Sequence, residues 1–492
     1  MSPLDMFTYT STFTTIVAIL HWCIMIGLGF RIILKRHPSG VTFAWLFVVA
    51  SVPFFGAAMY LLVGELWLPK RRIHRYHCYK GLLSDAIRSI DEQWDIKGEA
   101  LSPIARQLNA QAHHPMTLSA IGGNSIKIYD TDHDCFDAII DDIDRAESSV
   151  SMLFYIWESS GEVCRVEEAL LRAAGRGVLC KVMVDSAGSK GFVRSSSARL
   201  LRDGGVEVIE TLPVGLMRVL FARIDIRNHR KIITVDHHIA YTGSMNMVDS
   251  SVFHAGKGVG RWVDVMARVE GPAARVLDMT FHLDWAVESM RDPCKEFRSL
   301  IPDGVIEPSG ESTLQVVPSG PDQAPRVIHD MLLTLVYNAS EQIVITTPYF
   351  IPSEAMLSAL TAAAMRGVEV TLVVPKRVDS ILVRIASKSY FDDLIEAGVK
   401  IRLFRGGLLH SKTVTADGTV GLLGTVNMDK RSFWINFEIS LFAYDTDTVR
   451  DLRHLQGRYI ADSDAVEPDE WKSRSLLSRV TQNTVQLLAP IL

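Results

Sequence analysis

Two uncharged stretches open the chain. Met6 to Phe30 carries no Asp, Glu, Lys or Arg over 25 residues, and Val41 to Gly64 carries none over 24, the second interrupted by Pro53 and Gly56. As helices, both are long enough to cross the roughly 30 Å hydrocarbon core of a bilayer, where Pro and Gly are tolerated better than in soluble helices. The polar run Arg31, Lys35, Arg36, His37, Pro38, Ser39, Gly40 between them predicts a two-helix transmembrane hairpin over residues 1–65. The first stretch lacks the basic leader and small-residue cleavage site of a signal peptide. Two spans would return the chain to its starting side. Arg31, Lys35 and Arg36 on one side nearly balance Lys70, Arg71, Arg72 and Arg75 on the other, and the reading leans to a cytoplasmic body. The mixed cationic and aromatic run Lys70 to Lys80 reads as a topogenic flank or as a contact for anionic headgroups, within a basic juxtamembrane linker over 66–100.

Beyond residue 100 the pattern changes to short apolar runs alternating with helical periodicity, the signature of α/β architecture. Ser149 to Ile156 predicts a strand, a helix carrying Ala169, Leu170, Leu171, Ala173 and Ala174 follows, and Arg176-Gly177-Val178 turns into a second strand, Cys180 to Asp185. Gln342 to Ile351, Leu357 to Met365, Arg366-Gly367-Val368 and Glu369 to Val374 repeat that order. This is an internal duplication of a βαβ unit. The turn-rich segment Pro302–Gly320 marks the join, giving domains at 101–305 and 306–492.

Composition narrows the class. The chain has 492 residues, 48% apolar and 22% charged, which excludes disorder, collagen and linker descriptions of the whole. With 51 Lys+Arg against 56 Asp+Glu, the net charge of −5 argues against coating nucleic acid by bulk electrostatics. Cys23, Cys78, Cys135, Cys164, Cys180 and Cys294 are widely spaced and read as reduced thiols, with neither a disulfide framework nor a zinc spacing. His113-His114 and His237-His238 read as solvated histidines, and no metal or cofactor is expected. Gly256-Lys257-Gly258-Val259-Gly260 lacks the Gly-Lys-[Ser/Thr] of a phosphate loop and reads as a flexible loop. Tyr155, Trp157, Tyr349 and Phe350 at strand ends serve either core packing or the lining of an entrance.

The chemistry lies in a repeated constellation. His229, Lys231, Asp236, Gly243, Ser244 and Asn246 fit His-x-Lys-x4-Asp-x6-Gly-[Ser/Thr]-x-Asn, and so do His410, Lys412, Asp417, Gly424, Thr425 and Asn427, with 17 positions from His to Asn in each. Residues i and i+2 of a strand share a face, so each histidine projects beside its lysine. If the halves face one another about a pseudo-twofold axis, two imidazoles and two ammonium groups surround one volume suited to a phosphodiester. One imidazole can attack phosphorus while the other protonates the leaving alkoxide, and the lysines with Asn246 and Asn427 can stabilise the non-bridging oxygens. Spacing leaves open which histidine attacks. It also leaves Asp236 and Asp417 open between a catalytic role and the ordering of loops. Glu438 and Asp264 could each hold an imidazole in the required tautomer.

These paired motifs resemble the phospholipase D superfamily over roughly residues 100–492. Within it, Pro53-Phe54-Phe55-Gly56, Tyr60 to Gly64, Tyr155-Ile156-Trp157, Asn228-His229-Arg230-Lys231, Asn427 to Ser432, Asn436-Phe437-Glu438 and the ending Leu487 to Leu492 are similar to bacterial cardiolipin synthases. The resemblance implies two duplicated phospholipase D-like α/β domains about a pseudo-twofold axis behind the membrane hairpin. It also implies a metal-free transfer between two phosphatidylglycerols, giving cardiolipin and glycerol through a phosphatidyl-histidine, at the bacterial inner membrane. By the same resemblance His229 is the nucleophile and His410 the acid, then the base. The candidate catalytic set is His229, Lys231, Asp236, His410, Lys412 and Asp417, with Asn246, Asn427, Ser244, Thr425 and Glu438 as substrate-binding residues. Gly243-Ser244 and Gly424-Thr425 stand where the family often has Gly-Gly and Gly-Ser. A hydrolase, a transferase with another donor such as phosphatidylethanolamine, a nuclease and a non-catalytic scaffold are the competing readings. Membrane anchoring and charge oppose the nuclease, and two intact motifs oppose the scaffold.

Overall fold

The uncharged N-terminal stretches form helices, but unequal ones. In the computed structural model, which describes residues 3–35, 39–52, 54–65, 68–96, 100–112, 119–213, 223, 225–254, 258–289, 306–322 and 326–486, two compact units are distinguished: Met1–Lys70 with Val214–Asp225, and Arg71–Pro213 with Ile226–Leu492. The expectations for Pro38, Pro53, His113-His114, Lys257, Cys294, the start of the join at Pro302 and the ending Leu487 to Leu492 fall outside the described residues.

In the first unit α1 (Pro3–Leu34) contains one segment, Thr12–Leu34, long and apolar enough to cross a bilayer. The second stretch does not make an equal partner. It divides into α2 (Ser39–Ser51) and α3 (Phe55–Met59), the latter running on into a wider π-helical turn, Tyr60–Gly64. Phe54 at the break has φ of 60°. There the chain folds back on itself, because the Trp45 and Tyr60 rings meet at 5.4 Å and a Cβ on Gly56 would lie 2.3 Å from the Val48 carbonyl oxygen. Glu65, at the end of this return, takes a bidentate ion pair from Arg31 at 2.7 and 3.0 Å and a hydrogen bond from the Tyr60 hydroxyl at 2.7 Å. Of the two-span hairpin read from the uncharged lengths only the first arm is shown, and the second stretch is followed by Glu65, which pairs with Arg31 and Lys35 at the end of α1.

The second unit is built on a 15-stranded sheet. Its first half contributes β1 (Ile121–Tyr129), β2 (Ser149–Phe154), β3 (Leu179–Asp185), β4 (Glu207–Thr211), β5 (Ile232–Val235), β6 (Ile239–Gly243) and, after the two-residue β7 (Trp262–Val263), β8 (Met266–Glu270). The second contributes β9 (Ser312–Ser319), β10 (Gln342–Thr346), β11 (Phe350–Ile351), β12 (Glu369–Pro375), β13 (Lys400–Phe404), β14 (Leu408–Leu409), β15 (Thr413–Ala416), β16 (Val420–Gly424), β17 (Met428–Asp429), β18 (Glu438–Ala443) and β19 (Ser463–Ala465). From one edge the order is β4-β3-β2-β5-β6-β8-β1, then β9-β18-β16-β15-β10-β12-β13-β19. The first seven strands are mirrored in order by the next seven, and the halves join where β1 pairs antiparallel with β9.

The duplication reaches individual side chains. The helices Glu162–Gly175 and Glu354–Met365 end at Gly177 and Gly367, whose φ values of 93° and 92° only glycine adopts without strain. The arginine before each glycine reaches back to cap another helix: Arg176 donates to the Ile143 carbonyl at 2.9 Å, and Arg366 to Ala339 at 3.1 Å. The helix Pro272–Ser289 is buried almost throughout and packs on β1, β5 and β6. The segment expected to be a basic linker is mostly a helix, α4 (Lys70–Trp94), that belongs to the body: Arg72, Tyr76, Tyr79 and Ile90 are buried. Arg72 binds Asp322 at 3.3 Å, pairs with Glu288, and lies over the Phe437 ring. This arginine is a packing element and not a headgroup contact.

Candidate active site

Each histidine is delivered by a backbone crossing between the halves. Asn228 bridges Phe437 in parallel, and the His229 N–H donates to the Phe437 carbonyl at 2.8 Å. In the mirror position β14 pairs in parallel with β7, and the His410 N–H donates to the Val263 carbonyl at 2.8 Å. The residue after each acceptor is a carboxylate, so the crossing sets Glu438 beside His229 and Asp264 beside His410. The Nδ1 atoms lie 2.9 Å from Glu438 Oε2 and 2.7 Å from Asp264 Oδ1. With Nδ1–H given to a carboxylate, Nε2 is left carrying the lone pair. Each half thus positions the histidine of the other.

The Gly-[Ser/Thr] dipeptides complete these pairs. A Cβ on Gly243 would fall 2.3 Å from the Val265 carbonyl oxygen, and one on Gly424 2.5 Å from that of Ile439, so the close approach of β6 to β8 and of β16 to β18 requires glycine. The hydroxyls that follow donate to the carboxylates, Ser244 to Asp264 and Thr425 to Glu438, each at 2.5 Å. They also accept the N–H of Val265 at 3.0 Å and of Ile439 at 2.9 Å. Ser244, Thr425 and Glu438 were grouped with the substrate-binding residues, and Glu438 also as a possible partner of an imidazole. In the structure Glu438 meets His229, and the two hydroxyls donate to Asp264 and Glu438.

Lys231 and Lys412 are wholly buried, and each Nζ donates to the carbonyl of its own histidine, at 2.8 and 2.5 Å. Burial is the main force on all four basic groups. It lowers the Lys231 pKa to about 8, that of Lys412 to about 7 and that of His410 to about 4, and it lowers His229 as well. Lys412 acts electrostatically on His229 and Lys231 on His410, so the halves share one field. Burial works against the ionised carboxylates, yet His410 and Lys412 hold Asp264 low, and His229 and Lys231 do the same for Glu438.

The asparagines differ. Asn246 Oδ1 accepts the Ile156 N–H at 3.2 Å, whereas Asn427 Oδ1 is buried without a partner. Asp236 and Asp417 stand beyond the far ends of β5 and β15, with φ of 50° and 49°. Asp236 accepts the backbone N–H groups of Glu147, Ser148 and Ser149 at 2.7–2.9 Å, and Asp417 those of Ser340, Glu341 and Gln342 over the same range. They fix the entries to β2 and β10 rather than join the histidines. Of the aromatic residues, Tyr155 stands edge-on to His229 at 5.1 Å, while Trp157 stacks on Phe192 and Phe350 is buried in the core. Sequence reading passed over Trp262, 4.3 Å from His410, and Arg230, which donates to the Glu438 and Ser319 carbonyls and pairs with Asp284 at 2.8 Å. Arg230 was visible as the one charged residue inside the first His-x-Lys.

His237, from the other conspicuous pair, meets Asp278 at 2.8 Å and His282, and ligand atoms of these three lie within 4.8 Å of one another. Thr234 already donates to Asp278 at 2.8 Å, and the Arg275 guanidinium stands 3.8 Å from it, which disfavours a cation there.

Comparison with known proteins places the chain in a family. Residues 139–284 and 332–456 match the family described as cardiolipin synthase, PLD-like domain, and residues 15–65 match the phospholipase D-nuclease N-terminal family. Cardiolipin synthase A of Yersinia pseudotuberculosis (serotype O:1b, strain IP 31758) and of Yersinia pestis (bv. Antiqua, strain Angola) are each 41% identical over 489 residues, covering 98% of this chain and 100% of theirs. Among solved structures, phosphatidylserine synthase of Haemophilus influenzae superposes with a TM-score of 0.57 at 15% identity, over 79% of this chain and 97% of that one, a likeness of fold. The two matched repeats are the two halves that exchange histidine and carboxylate, and with identity sustained along the whole length the chain belongs to the bacterial cardiolipin synthases, phosphatidyltransferases of the phospholipase D superfamily.

Proposed function

We propose that the chain makes cardiolipin from two phosphatidylglycerols by way of a phosphatidyl-histidine, with residues 101–305 and 306–492 acting as a single catalytic body. The crossed pairs, His229 with Glu438 and His410 with Asp264, carry this reading. His229 is the nucleophile: its side chain keeps 10% exposure against 4% for His410. Its Nε2 forms a bond to phosphorus as the bond from phosphorus to the glycerol headgroup oxygen breaks, and His410, held neutral by burial in the free enzyme and protonated once the phosphodiester anion lies beside it, gives that proton to the leaving oxygen. In the second step His410 takes the proton of a glycerol hydroxyl on another phosphatidylglycerol, the new P–O bond forms, and the P–N bond breaks. Lys231, Lys412 and the Asn427 side-chain N–H face the non-bridging oxygens and oppose their growing charge. Glu438, Asp264, Ser244 and Thr425 are positioning residues.

Detergent-purified enzyme given phosphatidylglycerol labelled in its headgroup is expected to yield cardiolipin and free glycerol. Phosphatidic acid in place of cardiolipin would make it a hydrolase. A quenched reaction is expected to carry the phosphatidyl group on His229, in the acid-labile bond of a phosphohistidine, and finding it on His410 would reverse the assignment.

The membrane unit supports a cytoplasmic body. Since Glu65 returns to Arg31, α1 makes a single crossing and α2 with α3 form a re-entrant loop whose tip, Phe54, lies 6.0 Å from His21. That is ten residues, about 15 Å, from Arg31 along α1 and short of the roughly 30 Å needed to cross. Arg31 and Lys35 then share a side with Glu65 and the following Lys70, whereas the residues before Thr12 include Asp5 and no Lys or Arg. Cations favour the cytoplasmic face.

A further inference from the structure

Away from the site, exposed large apolar side chains of the second unit include Leu179, Leu200, Tyr337 and Met365, and five more fall on one pair of helices. The helices Ile381–Lys388 and Leu476–Gln486 pack on one another and leave Ile381 (64% exposed), Leu382 (48%), Leu476 (74%), Leu477 (76%) and Val480 (53%) in the open. Arg384 and Lys388 on the first helix and Arg474 and Arg479 at the second lie close enough to act on one another's charge. Among the described residues only Arg474 has a carboxylate, Asp392. Exposed aliphatic side chains beside Arg384, Lys388 and Arg479, which have no carboxylate among the described residues, complement a surface whose heads are anionic and whose interior is hydrocarbon.

This face is continuous with the site. The Asp379 carboxylate, two residues before the first helix, accepts the Tyr349 hydroxyl at 3.0 Å. The same helix packs against β11, which pairs in parallel with β17, and β17 begins directly after Asn427. We propose that the helices Ile381–Lys388 and Leu476–Gln486 form an interfacial docking surface that seats the second half of the enzyme on a bilayer rich in anionic phospholipid, on the side where β11 and β17 lead to Asn427. The proposal rests on the phospholipid-transfer reading and concerns how a substrate enters from the membrane plane.

The test uses full-length enzyme in nanodiscs of phosphatidylcholine with or without phosphatidylglycerol, carrying a photo-crosslinking amino acid at Leu477, at Ile381, or at the exposed control Leu200. Lipid adducts are expected at positions 477 and 381, increased by phosphatidylglycerol, and none at 200. Adducts to a second copy of the chain, equal labelling at 200, or no lipid adduct at 477 would each overturn the proposal. The L476D/L477D enzyme is expected to lose at least about tenfold in rate on vesicles while turning over monodisperse short-chain phosphatidylglycerol at the parent rate. An equal loss on both substrates would assign these leucines to the fold and overturn docking. Failure of the parent enzyme to use short-chain phosphatidylglycerol, with lipid adducts intact, would instead strike the transfer reading.

Discussion

An imidazole that attacks phosphorus must be neutral, oriented and free at Nε2; here burial keeps the ring neutral, and a carboxylate from the opposite half orients it and leaves Nε2 free. Glu438→Gln preserves shape but lets the His229 ring choose the wrong tautomer. Turnover is expected to fall by at least about 10²-fold, with the folded state intact by circular dichroism, as loss of the orienting carboxylate does at other histidine sites. Parent-like rates would show that Glu438 is dispensable. The lysines set a second expectation. Lys412, lowered by burial to about 7, and Lys231, lowered to about 8, are effective only as cations, so kcat/KM is expected to decline as pH rises through 7–8. The limb in kcat is expected at higher pH, because a bound phosphodiester anion favours the protonated amines. Stability runs the other way. The unfolded chain holds the Lys412 proton up to about 10.5, so between 7 and 10.5 this residue adds stability with rising pH while activity is lost. A kcat/KM flat to pH 9.5 would contradict the assignment of both ammonium groups.

At the scale of elements, the strand ends divide the labour: the histidine end of β5 and β15 carries chemistry and the aspartate end fixes the turn. Asp236→Ala is therefore expected to cost about 2 kcal/mol of stability through three lost backbone hydrogen bonds to a charged acceptor, with kcat per folded molecule unchanged. A large fall in kcat with an unchanged melting temperature would restore the aspartate to the reaction. Gly424→Ala should show the opposite balance, since its Cβ meets the Ile439 backbone and pushes away Thr425 and with it Glu438. The repeat and the βαβ order were legible because periodicity reports local geometry, whereas the His-x-Lys pairs, read as lying within strands, stand just ahead of β5 and β15. The crossed carboxylates were legible only in part. Asp264 lies 18 residues after Asn246 and Glu438 11 after Asn427, so spacing conceals their equivalence, and the pairing depends on Asn228 meeting Phe437 and β14 meeting β7 across the halves. The packing of α4 was hidden for a similar reason: a run of cations gives no sign that Glu288 and Asp322, more than 200 positions away, receive Arg72.

For the whole molecule, the uncharged length of 24 residues in the second stretch suggested a crossing, and only the ion pair that closes it shows a return. The difference decides which compartment holds the N-terminus. With two crossings it would lie beside the catalytic body, whereas with one crossing and a re-entrant loop it lies opposite. A reporter active only outside the cytoplasm, fused before Thr12, is expected to be active, and the same reporter fused after Gln486 silent. Activity at both ends or neither would restore the two-span arrangement. Glu65→Leu sharpens the comparison, because it removes the carboxylate that draws Arg31, Lys35 and the Tyr60 hydroxyl together. Opening the loop leaves 24 uncharged residues free to cross, which would carry the body to the far side against the cations at Lys70, Arg71 and Arg72. Those cations resist such transfer, so the Glu65→Leu enzyme is expected to keep its orientation and to lose membrane-resident stability instead, read as faster proteolysis of the loop in intact vesicles.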